Sequence, residues 1–321
     1  METKTLNLDD VVKNSTTDVN KKILAMIRDE QIVKILDGGK RLRPILANLS
    51  FKACTQGKES PYEYQRALEG GVVIELAHTA SLVHDDIIDN DNVRRGKPSF
   101  HIKKGIAHAI LTGHKMLVTG FNIALQHGKD FAKLYLDSWD EVVNGEIDEV
   151  DFNKADMKKI KDWSTKSQIF QAYEKIIDLK TAVLFASACK AGALEANMRG
   201  DILKVFSDFG REIGLAYQLA DDLVDLANGE MIDSVIIPLL NKLDDNSNKL
   251  KILKKREIKK KFSKNKEKIR EIYIQEIKKH VKNAEKLGNS DLIPDSPYKK
   301  VLGNAPAYII NRMLSEINVT V

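Results

Sequence analysis

Two short stretches of the chain carry three aspartates at the same spacing, Asp-Asp-x-x-Asp. The six acids are Asp85, Asp86, Asp89, Asp221, Asp222 and Asp225. On a helix, the acids four positions apart share one face and the middle acid lies beside them. Each stretch continues an apolar run, where a cluster of uncompensated carboxylates would be costly to bury. The pattern therefore indicates two carboxylate walls that face one another and hold positive charge.

Hard divalent cations are the natural compensation for these acids. Mg²⁺ prefers carboxylate oxygens, keeps some of its water and bridges to phosphate oxygens. No His or Cys spacing typical of a zinc site accompanies the two stretches. One Asp-Asp-x-x-Asp alone is often only an exposed helix surface, but two copies favour a site for a metal-bound polyphosphate.

The cations of the sequence agree with a polyphosphate ligand. Lys40 and Arg43 stand three apart after the flexible Gly38-Gly39 turn, a spacing that suits a phosphate group. Arg94 and Arg95 follow directly after the first acidic stretch. Further polar groups interrupt otherwise apolar runs, namely Lys180, Thr181 and Gln218. His78 falls on the same helix face as Asp85, seven residues later, although a single His there is more often a core residue.

Helices must position these groups, because the chain reads as all-α. No proline occurs from Ser99 through Ile237, and apolar residues recur there at i, i+3 and i+4. We predict helices over Thr17 to Leu36, Arg43 to Cys54 and Tyr62 to Asp91, with a loop from Asn92 to Pro98. Further helices are predicted over 105–126, 129–145, 156–195 (with a possible break), 200–227, 234–242, 249–286 and 297–317. The short gaps favour one compact bundle, a single domain over residues 1–321.

Bulk composition excludes several classes of protein. The net charge is +5, and Lys249 to Lys282 alone holds 15 Lys or Arg against 4 Glu. The run contains no glycine and only two aromatic residues, Phe262 and Tyr273, whereas single-strand nucleic-acid binding favours regularly interleaved aromatic residues, so we interpret it as a solvated helix face. Cys54 and Cys189 lie in apolar contexts, which fits buried thiols. With no secretory signal and no apolar run long enough for a membrane span, we expect a cytoplasmic protein.

Together these motifs resemble those of the trans-isoprenyl diphosphate synthases, the polyprenyl synthetase family. The similarity covers roughly residues 20 to 317. The matching segments are Gly-Gly-Lys-Arg-Leu-Arg-Pro (38–44), His-Asp-Asp-Ile-Ile-Asp (84–89), Arg-Arg-Gly-Lys-Pro (94–98), Gly-Glu (145–146), Lys-Thr (180–181) and Gln-Leu-Ala-Asp-Asp-Leu-Val-Asp (218–225). The resemblance implies an all-α isoprenoid-synthase bundle around a deep central cavity, in a protein that is usually a homodimer.

The resemblance also implies roles for individual residues. Three Mg²⁺ ions would be held against an allylic diphosphate by Asp85, Asp89 and Asp221, with Asp86, Asp222 and Asp225 close by. The same diphosphate would be bound by Arg94, Lys180 and Gln218, with Thr181 beside it. The second substrate, isopentenyl diphosphate, would be bound by Lys40, Arg43, His78 and Arg95. The implied reaction is ionisation of the allylic diphosphate followed by attack of the isopentenyl double bond.

Two departures from the family pattern leave alternatives open. The stretch Leu226 to Val235 has no lysine where the family carries a lysine-containing loop, and Gly113-His114-Lys115 replaces the usual Gly-Asp pair. Loss of a cation beside a diphosphate should weaken its binding, since each charge-assisted hydrogen bond contributes roughly 1.5–3 kcal/mol. A weakly active or non-catalytic subunit of a heteromeric synthase is therefore a second hypothesis. A class I terpene cyclase is a third, although cyclases need no isopentenyl site.

Product length depends on the residues that precede the first acidic stretch. Ala80 and Ser81 lie five and four positions before Asp85, about 6–8 Å further along a helix. Both are small where aromatic residues would stop chain growth early. We therefore expect a product of C20 or longer, unless the floor of the cavity is set elsewhere, for instance by Met116 or Phe121.

Overall fold

The computed structural model describes residues 6–154, 166–228 and 255–321, and within these ranges it is almost entirely helical. The all-α prediction is confirmed. The helices that begin in the first 130 residues are α1 (Leu8–Met26), α2 (Glu30–Leu36), α3 (Leu42–Thr55), α4 (Pro61–Ile88), α5 (Phe100–Lys104), α6 (Ile106–Gln126) and α7 (Lys129–Lys154). Those after it are α8 (Lys166–Ile177), a π-helix (Asp178–Ala182), α9 (Val183–Glu195), α10 (Asp201–Ala227), α11 (Lys255–Gly288), α12 (Pro297–Leu314) and a 3₁₀ turn (Ser315–Ile317).

Two compact units divide the chain. The first comprises residues 1–139, 184–210 and 287–303, and the second comprises 140–183, 211–286 and 304–321. The interpretation of the whole chain as one domain stays a prediction.

The predicted first helix is in fact two helices, α1 and α2. The chain becomes extended at Ile27, and Asp29 caps α2 by accepting hydrogen bonds from the backbone N–H groups of Gln31 and Ile32. An aspartate at this position satisfies otherwise unpaired amides of the first helical turn. The prediction of one helix from Thr17 was wrong because the capping signal of Asp29 outweighs the continuing apolar spacing.

Helix α4 carries the first acidic stretch and is the longest helix of the first unit's N-terminal part. Ser60 and Glu63 form a capping box at its start, and Pro61 occupies the first helical position. More than half of its residues are buried, and they lie on all faces of the helix. Its apolar side packs in a cluster with α1, α2 and α6 that includes Val19, Leu36 and Met116. The helix is thus fixed along its length, which holds its acidic C-terminal turn in place.

A two-stranded hairpin, β1 (Val93–Arg94) and β2 (Lys97–Pro98), follows α4 within the stretch predicted as a loop. Arg94 pairs with Lys97, so Arg95 and Gly96 form the two-residue turn. Both turn residues have positive φ, 53° and 71°. This is the backbone geometry that two-residue hairpin turns require, and it explains the glycine at 96. The short helix α5, which the sequence analysis did not predict, begins directly after this hairpin.

The second unit has its own apolar core. Its fully or almost fully buried members include Leu219 of α10, Tyr273 and Ile277 of α11, and Ile310 of α12. Here the predicted helix 156–195 is α8, the π-helix and α9, with 155–165 outside the described residues. The π-helix is the break that the sequence analysis allowed for, and it contains Lys180 and Thr181.

Other predicted boundaries differ at their ends. Helix α4 ends at Ile88 rather than Asp91, and α7 extends to Lys154 rather than 145. The predicted helix 234–242 and residues 249–254 lie outside the described residues. So does most of the lysine-free stretch after Asp225. Among the helices of the described ranges, none has the length and apolarity needed to cross a bilayer.

Candidate functional site

The three acids at the end of α4 differ in their exposure. Asp85 and Asp86 are buried, at 7% and 3% exposure, whereas Asp89 is exposed and forms the C-cap of the helix. Because Asp85 and Asp89 are four residues apart, they lie on one helix face, as predicted. Asp86 lies about 100° further round the helix. The turn therefore presents two carboxylates in one direction and one in another.

Arg94 of the hairpin pairs with Asp86. Its Nε donates to Asp86 Oδ1 at 2.7 Å, and its Nη2 lies 2.5 Å from the same oxygen and 3.4 Å from Asp91 Oδ2. A guanidinium bound through two nitrogens has a defined orientation. Asp86 thus positions the arginine that the resemblance assigns to the allylic diphosphate, which separates its role from that of Asp85 and Asp89.

The hairpin turn carries Arg95 to the Gly38-Gly39 turn. Arg95 Nη1 donates to the backbone oxygen of Asp37 at 3.1 Å. A Cβ on Gly39 would lie 3.3 Å from Arg95 Nη1 and 2.4 Å from Arg41 Nη1. The missing side chain at 39 is therefore what lets both guanidinium groups approach this backbone. Lys40, the next residue, is exposed to solvent.

A buried ion pair that sequence reasoning missed anchors the same turn. Arg41 Nη1 donates to Glu75 Oε1 of α4 at 2.8 Å, and its Nε donates to Asn20 Oδ1 of α1 at 3.0 Å. The two charged side chains are only 5% and 3% exposed. Arg41 itself has a positive φ of 57° before α3. Glu75 is an isolated acid inside an apolar helix, and that signal could have indicated a buried partner.

His78 lies in the positive field of four arginines. Desolvation lowers the pKa of His78 well below 6.5, and the charges of Arg43, Arg95, Arg94 and Arg41 lower it further, in that order. His78 is therefore a neutral imidazole at neutral pH. Arg43 is buried and lies over the ring of Phe185, 4.3 Å from its centroid. The structure thus brings Arg43, His78 and Arg95 into one basic cluster, and their assignment to isopentenyl diphosphate stays a prediction.

A cavity of about 510 Å³ opens beside this cluster in the first unit. Gly38, Asp86, Arg94 and Arg95 line it, together with four lysines. The lysines are Lys34, Lys97, Lys103 and Lys104. Its apolar wall includes Leu82, Val83 and Phe100. Five of the predicted site residues are not among its lining residues: Asp85, Asp89, Lys40, Arg43 and His78. An anionic group with a short apolar tail matches this mixture of cations and apolar surface.

In the second unit, Lys180 is held between two glutamates of α7. Its Nζ lies 3.0 Å from Glu146 Oε2 and 2.5 Å from Glu149 Oε2. Gly145 makes this close approach possible, since a Cβ there would lie 2.7 Å from the Lys180 backbone nitrogen. In the Gly-Glu pair of the sequence motif, Gly145 permits the close contact between α7 and the π-helix, and Glu146 binds Lys180.

Thr181, Gln218 and Asp222 form a chain of hydrogen bonds. Thr181 Oγ1 donates to Gln218 Oε1 at 2.9 Å, and Gln218 Nε2 donates to Asp222 Oδ1 at 3.0 Å. Burial raises the pKa of Asp222 well above 3.8, and the charges of Asp225 and Glu149 raise it further. Asp221 and Asp225 are only partly buried. Asp222 is therefore a supporting group, while its two neighbours lie closer to solvent.

The π-helix that carries Lys180 and Thr181 is fixed at its start. Asp178 accepts a hydrogen bond from Arg211 Nη1 at 2.5 Å, and Arg211 Nη2 also lies 3.1 Å from Glu141 Oε2. π-Helical turns are rare and are frequently found at functional sites. The ion pairs hold this irregular backbone against α7 and α10, and so define where Lys180 and Thr181 point.

The two residues predicted to set product length have different surroundings. Ala80 is fully buried in the apolar cluster that contains Met116. Ser81 is buried at 7% exposure, and its Oγ donates to the backbone oxygen of His78 at 2.8 Å. Ser81 shares the helix face of Asp85, four residues on, whereas Ala80 points about 140° away.

The unusual Gly113-His114-Lys115 segment has a structural explanation. A Cβ on Gly113 would lie 2.2 Å from His84 Nε2, so the glycine makes room for the imidazole. Lys115 Nζ donates to Asp29 Oδ2, the cap of α2, at 2.5 Å. Lys115 therefore joins α6 to the start of α2.

Divalent metal fits the chemistry of the two acidic groups. Asp85 with Asp89, and Asp221 with Asp225, each offer carboxylate oxygens on one helix face, the hard ligands that Mg²⁺ takes. Among the described residues, one further group of possible ligands lies close together: Glu174, Glu276 and His280. It does not fit a metal, because both ring nitrogens of His280 contact carboxylates and Lys279 Nζ lies 3.6 Å from Glu174.

Comparison with known proteins agrees with this geometry. The family model described as polyprenyl synthetase matches residues 27–288. The chain belongs to the polyprenyl synthetase family. The prediction made from its motifs is confirmed at this level. Members of this family are prenyltransferases that use divalent metal. Because the chain belongs to the family, it is a prenyltransferase.

Several relatives are diphosphate synthases. A geranylgeranyl diphosphate synthase of Methanosarcina mazei is 33% identical over 242 residues, which are 71% of this chain and 69% of the relative. Component 2 of a heptaprenyl diphosphate synthase of Geobacillus stearothermophilus is 33% identical over 194 residues, 60% of this chain and 56% of that protein. A crystal structure of a geranylgeranyl pyrophosphate synthase has a TM-score of 0.75 at 25% identity and covers 95% of this chain and 98% of that chain.

Proposed function

We propose that the protein is a trans-prenyl diphosphate synthase that joins isopentenyl diphosphate to an allylic diphosphate. In this reaction the C–O bond of the allylic diphosphate breaks, pyrophosphate leaves, and the isopentenyl double bond forms a new C–C bond before it loses a proton. The observation that carries the proposal is the arginine cluster around His78 directly beside the acids that end α4. Such a site combines groups for metal and for diphosphate within one unit.

Metal would be held by Asp85 and Asp89 on α4 and by Asp221 on α10, with three Mg²⁺ ions expected from the family pattern. When bound, Mg²⁺ neutralises the negative charge of the departing diphosphate. Arg94, Lys180 and Gln218, with Thr181 beside them, would bind the same diphosphate. Asp86 orients Arg94 for this task through the contact described above. Asp222 supports Gln218 in the same way, and Asp225 lies next to Asp221.

Isopentenyl diphosphate would bind to Lys40, Arg43, His78 and Arg95. The neutral His78 can donate one hydrogen bond without adding charge, while the arginines supply the positive field. The absent side chain of Gly39 lets the guanidinium of Arg95 approach the turn that carries Lys40. The apolar surface of α4 would exclude water from the allylic cation.

The product is expected to be C20 or longer. Among the relatives above, the named products are geranylgeranyl and heptaprenyl diphosphate. Ala80 and Ser81 are small and offer no aromatic barrier before Asp85. Because only Ser81 shares the face of Asp85, we assign the wall of the growing chain to Ser81 first and to Ala80 second.

We also propose a homodimer formed through α6. The buried face of this helix contains Ala109, Gly113, Met116, Gly120 and Ala124. A second, opposite line of apolar residues is exposed: Leu111 at 66%, Val118 at 59% and Leu125 at 52%. These residues are seven apart, so they form one stripe. Exposed apolar stripes of this kind are typical of subunit interfaces.

A heteromeric synthase is the second candidate. The observation in its favour is the similarity to component 2 of a heptaprenyl diphosphate synthase, a name that implies a further component. In that case the α6 stripe would contact a different chain. The cyclase hypothesis has no comparable support, since these relatives are named as synthases.

The test is an elongation assay with labelled isopentenyl diphosphate, Mg²⁺ and allylic primers of C5 to C20. Elongation supports the synthase, whereas a hydrocarbon formed from the primer alone would indicate a cyclase. Asp85→Asn and Asp221→Asn should each lower kcat by about 10³-fold, equivalent to about 4 kcal/mol of transition-state stabilisation. Asp137→Asn, which removes an exposed acid paired with Lys133, is the control and should leave kcat unchanged.

A further inference from the structure

The cavity of the first unit opens on a different side of α4 from the predicted metal ligands. Four residues of α4 line it: Thr79, Leu82, Val83 and Asp86. At 100° per residue, they lie about 60–160° round the helix from Asp85, whereas His78 lies within about 20° of it. Of the four residues expected to bind isopentenyl diphosphate, only Arg95 lines the cavity. The cavity is therefore largely separate from the site for the two substrates.

The cavity keeps lysines that no acid neutralises. Each of the three acids that line it pairs with a lining cation. The pairs are Glu30 with Lys34, Asp37 with Lys97, and Asp86 with Arg94. Lys103 and Lys104 of α5 also line the cavity and are exposed, and neither has an acidic partner among the residues that the structure describes. These two lysines are therefore available to an anion that enters from solvent.

Two buried hydroxyl groups on the same wall lack a hydrogen-bond partner within the described ranges. Thr79 and Ser99 are 2% and 1% exposed, and Thr79 Oγ1 and Ser99 Oγ are both unpaired there. Ser99 directly precedes α5, yet its side chain makes no capping hydrogen bond. Buried polar groups normally have a partner, so each of these hydroxyls needs an explanation. Acceptor oxygens of a ligand in the cavity would supply the missing partners.

The rest of the wall is apolar. Its members come from α2, α4, the hairpin and α5: Ile35, Leu82, Val83, Pro98 and Phe100. The volume of about 510 Å³ falls in the range of about 300–1,000 Å³ that small-molecule sites occupy. A phosphate ester with a short alkyl tail matches this arrangement, because its oxygens can accept hydrogen bonds from lysines and hydroxyls while its tail contacts the apolar side chains.

We propose that this cavity is a second anion site, which binds a phosphate ester with a short apolar tail outside the site for the two substrates. Lys103 and Lys104 would bind the phosphate at the exposed edge, and Thr79 and Ser99 would donate to it from the wall. Binding would need no metal, since lysines and hydroxyls meet the phosphate. The proposal does not depend on the proposed function.

The test measures binding of n-butyl phosphate to the full chain by calorimetry in EDTA, with inorganic phosphate as a probe that has no tail. We expect n-butyl phosphate to bind at least fivefold more tightly than inorganic phosphate. Lys103→Glu combined with Lys104→Glu should abolish a binding event that Lys40→Glu leaves intact. Lys40 is exposed and belongs to the predicted isopentenyl site, but it does not line the cavity.

Thr79→Val tests the contribution of the buried hydroxyl separately from that of charge. Valine has a similar shape and removes an unpaired group, so the stability to urea should be unchanged or raised. Binding of n-butyl phosphate should weaken at least threefold. Ser99→Ala should act in the same direction. Lower stability with unchanged binding in both variants would mean that these hydroxyls serve the fold and no ligand.

The matched control is Lys58→Glu combined with Lys129→Glu. Both are exposed lysines of the first unit, and neither lines the cavity. Equal loss of binding in this variant would mean a bulk charge effect and would overturn the proposal. So would a wild type that binds no n-butyl phosphate, or a loss that follows Lys40→Glu instead of the α5 lysines. A chain that binds the probe as expected but elongates no primer would contradict the proposed function and support the second site.

Discussion

Ser81 and Ala80 are adjacent in the chain, yet they point in directions about 100° apart on α4. Ser81 lies on the face of Asp85, while Ala80 is enclosed in the apolar cluster of Met116. A larger side chain at these two positions therefore meets two different environments. One is the wall that the growing product would follow, and the other is a packed core.

We predict that Ser81→Phe shortens the product and that Ala80→Phe mainly lowers stability, by about 1–3 kcal/mol of unfolding free energy. Chromatography of labelled products and urea unfolding measure the two effects. Ser81→Ala is the control and should keep the wild-type product. If Ala80→Phe shortens the product and Ser81→Phe does not, Ala80 limits the length of the product and Ser81 does not.

At the scale of helices, buried ion pairs join elements that apolar packing alone would not orient. The pair of Arg41 and Glu75 joins the Gly38-Gly39 turn to α4. The cluster around His280 joins α8, α10 and α11 in the second unit, since His280 contacts Glu174 and Glu212.

Glu75→Gln should lower the free energy of unfolding by about 3–5 kcal/mol, because it leaves the buried guanidinium of Arg41 uncompensated. Chemical denaturation gives this number. Glu30→Gln removes one partner of the solvent-exposed Lys34 pair and should cost less than about 1 kcal/mol. Equal losses in the two variants would show that Arg41 and Glu75 form no stronger pair than a surface one.

The His280 cluster should make stability depend on pH. Burial alone would lower the pKa of His280, but hydrogen bonds from its ring to Glu174 and Glu212 raise it from 6.5 to about 9. The folded state therefore binds this proton more tightly than the unfolded state. The resulting stabilisation is complete below pH 6.5 and is lost as pH rises through about 9.

Urea unfolding at pH 6.5 and pH 9 tests this dependence. The wild type should lose up to about 3 kcal/mol over the interval, since one pKa unit corresponds to about 1.4 kcal/mol. His280→Gln should lose less, because its side chain does not titrate. If both proteins lose the same stability, His280 does not carry its proton in the folded state.

At the scale of the whole molecule, the exposed apolar stripe of Leu111, Val118 and Leu125 on α6 is the surface through which we propose that two chains associate. Leu111→Asp combined with Val118→Asp should give a monomer in light scattering, with secondary structure unchanged by circular dichroism. His108→Asp, on the same helix and exposed, is the matched control. A wild type that is already monomeric when pure, and dimeric only with a second protein, would favour the heteromeric assembly.

Much of this molecule was predictable from local patterns. The helical positions of the acids, the Arg94–Arg95 loop and the Lys180–Thr181 pair follow from spacing and residue type. Burial does not follow in this way. Nothing local distinguishes Arg41, which is an internal ion-pair partner, from Lys40, which is exposed. The capping role of Asp29 competed with a continuing apolar period, and the π-helix depends on contacts with α7 and α10 that lie far away in sequence.

The π-helix also determines how this region tolerates changes of length. A π turn accommodates one residue more than an α-helix needs for the same path. Deleting one residue between Asp178 and Ala182 would therefore restore a regular helix instead of breaking the chain. It would also rotate the preceding residues by about 100° and turn Lys180 away from Glu146. The same rotation would displace the buried Tyr173, Ile176 and Ile177 of α8 and its Glu174 contact with His280, so the extra residue of the π-helix keeps the apolar side of α8 in the core of the second unit.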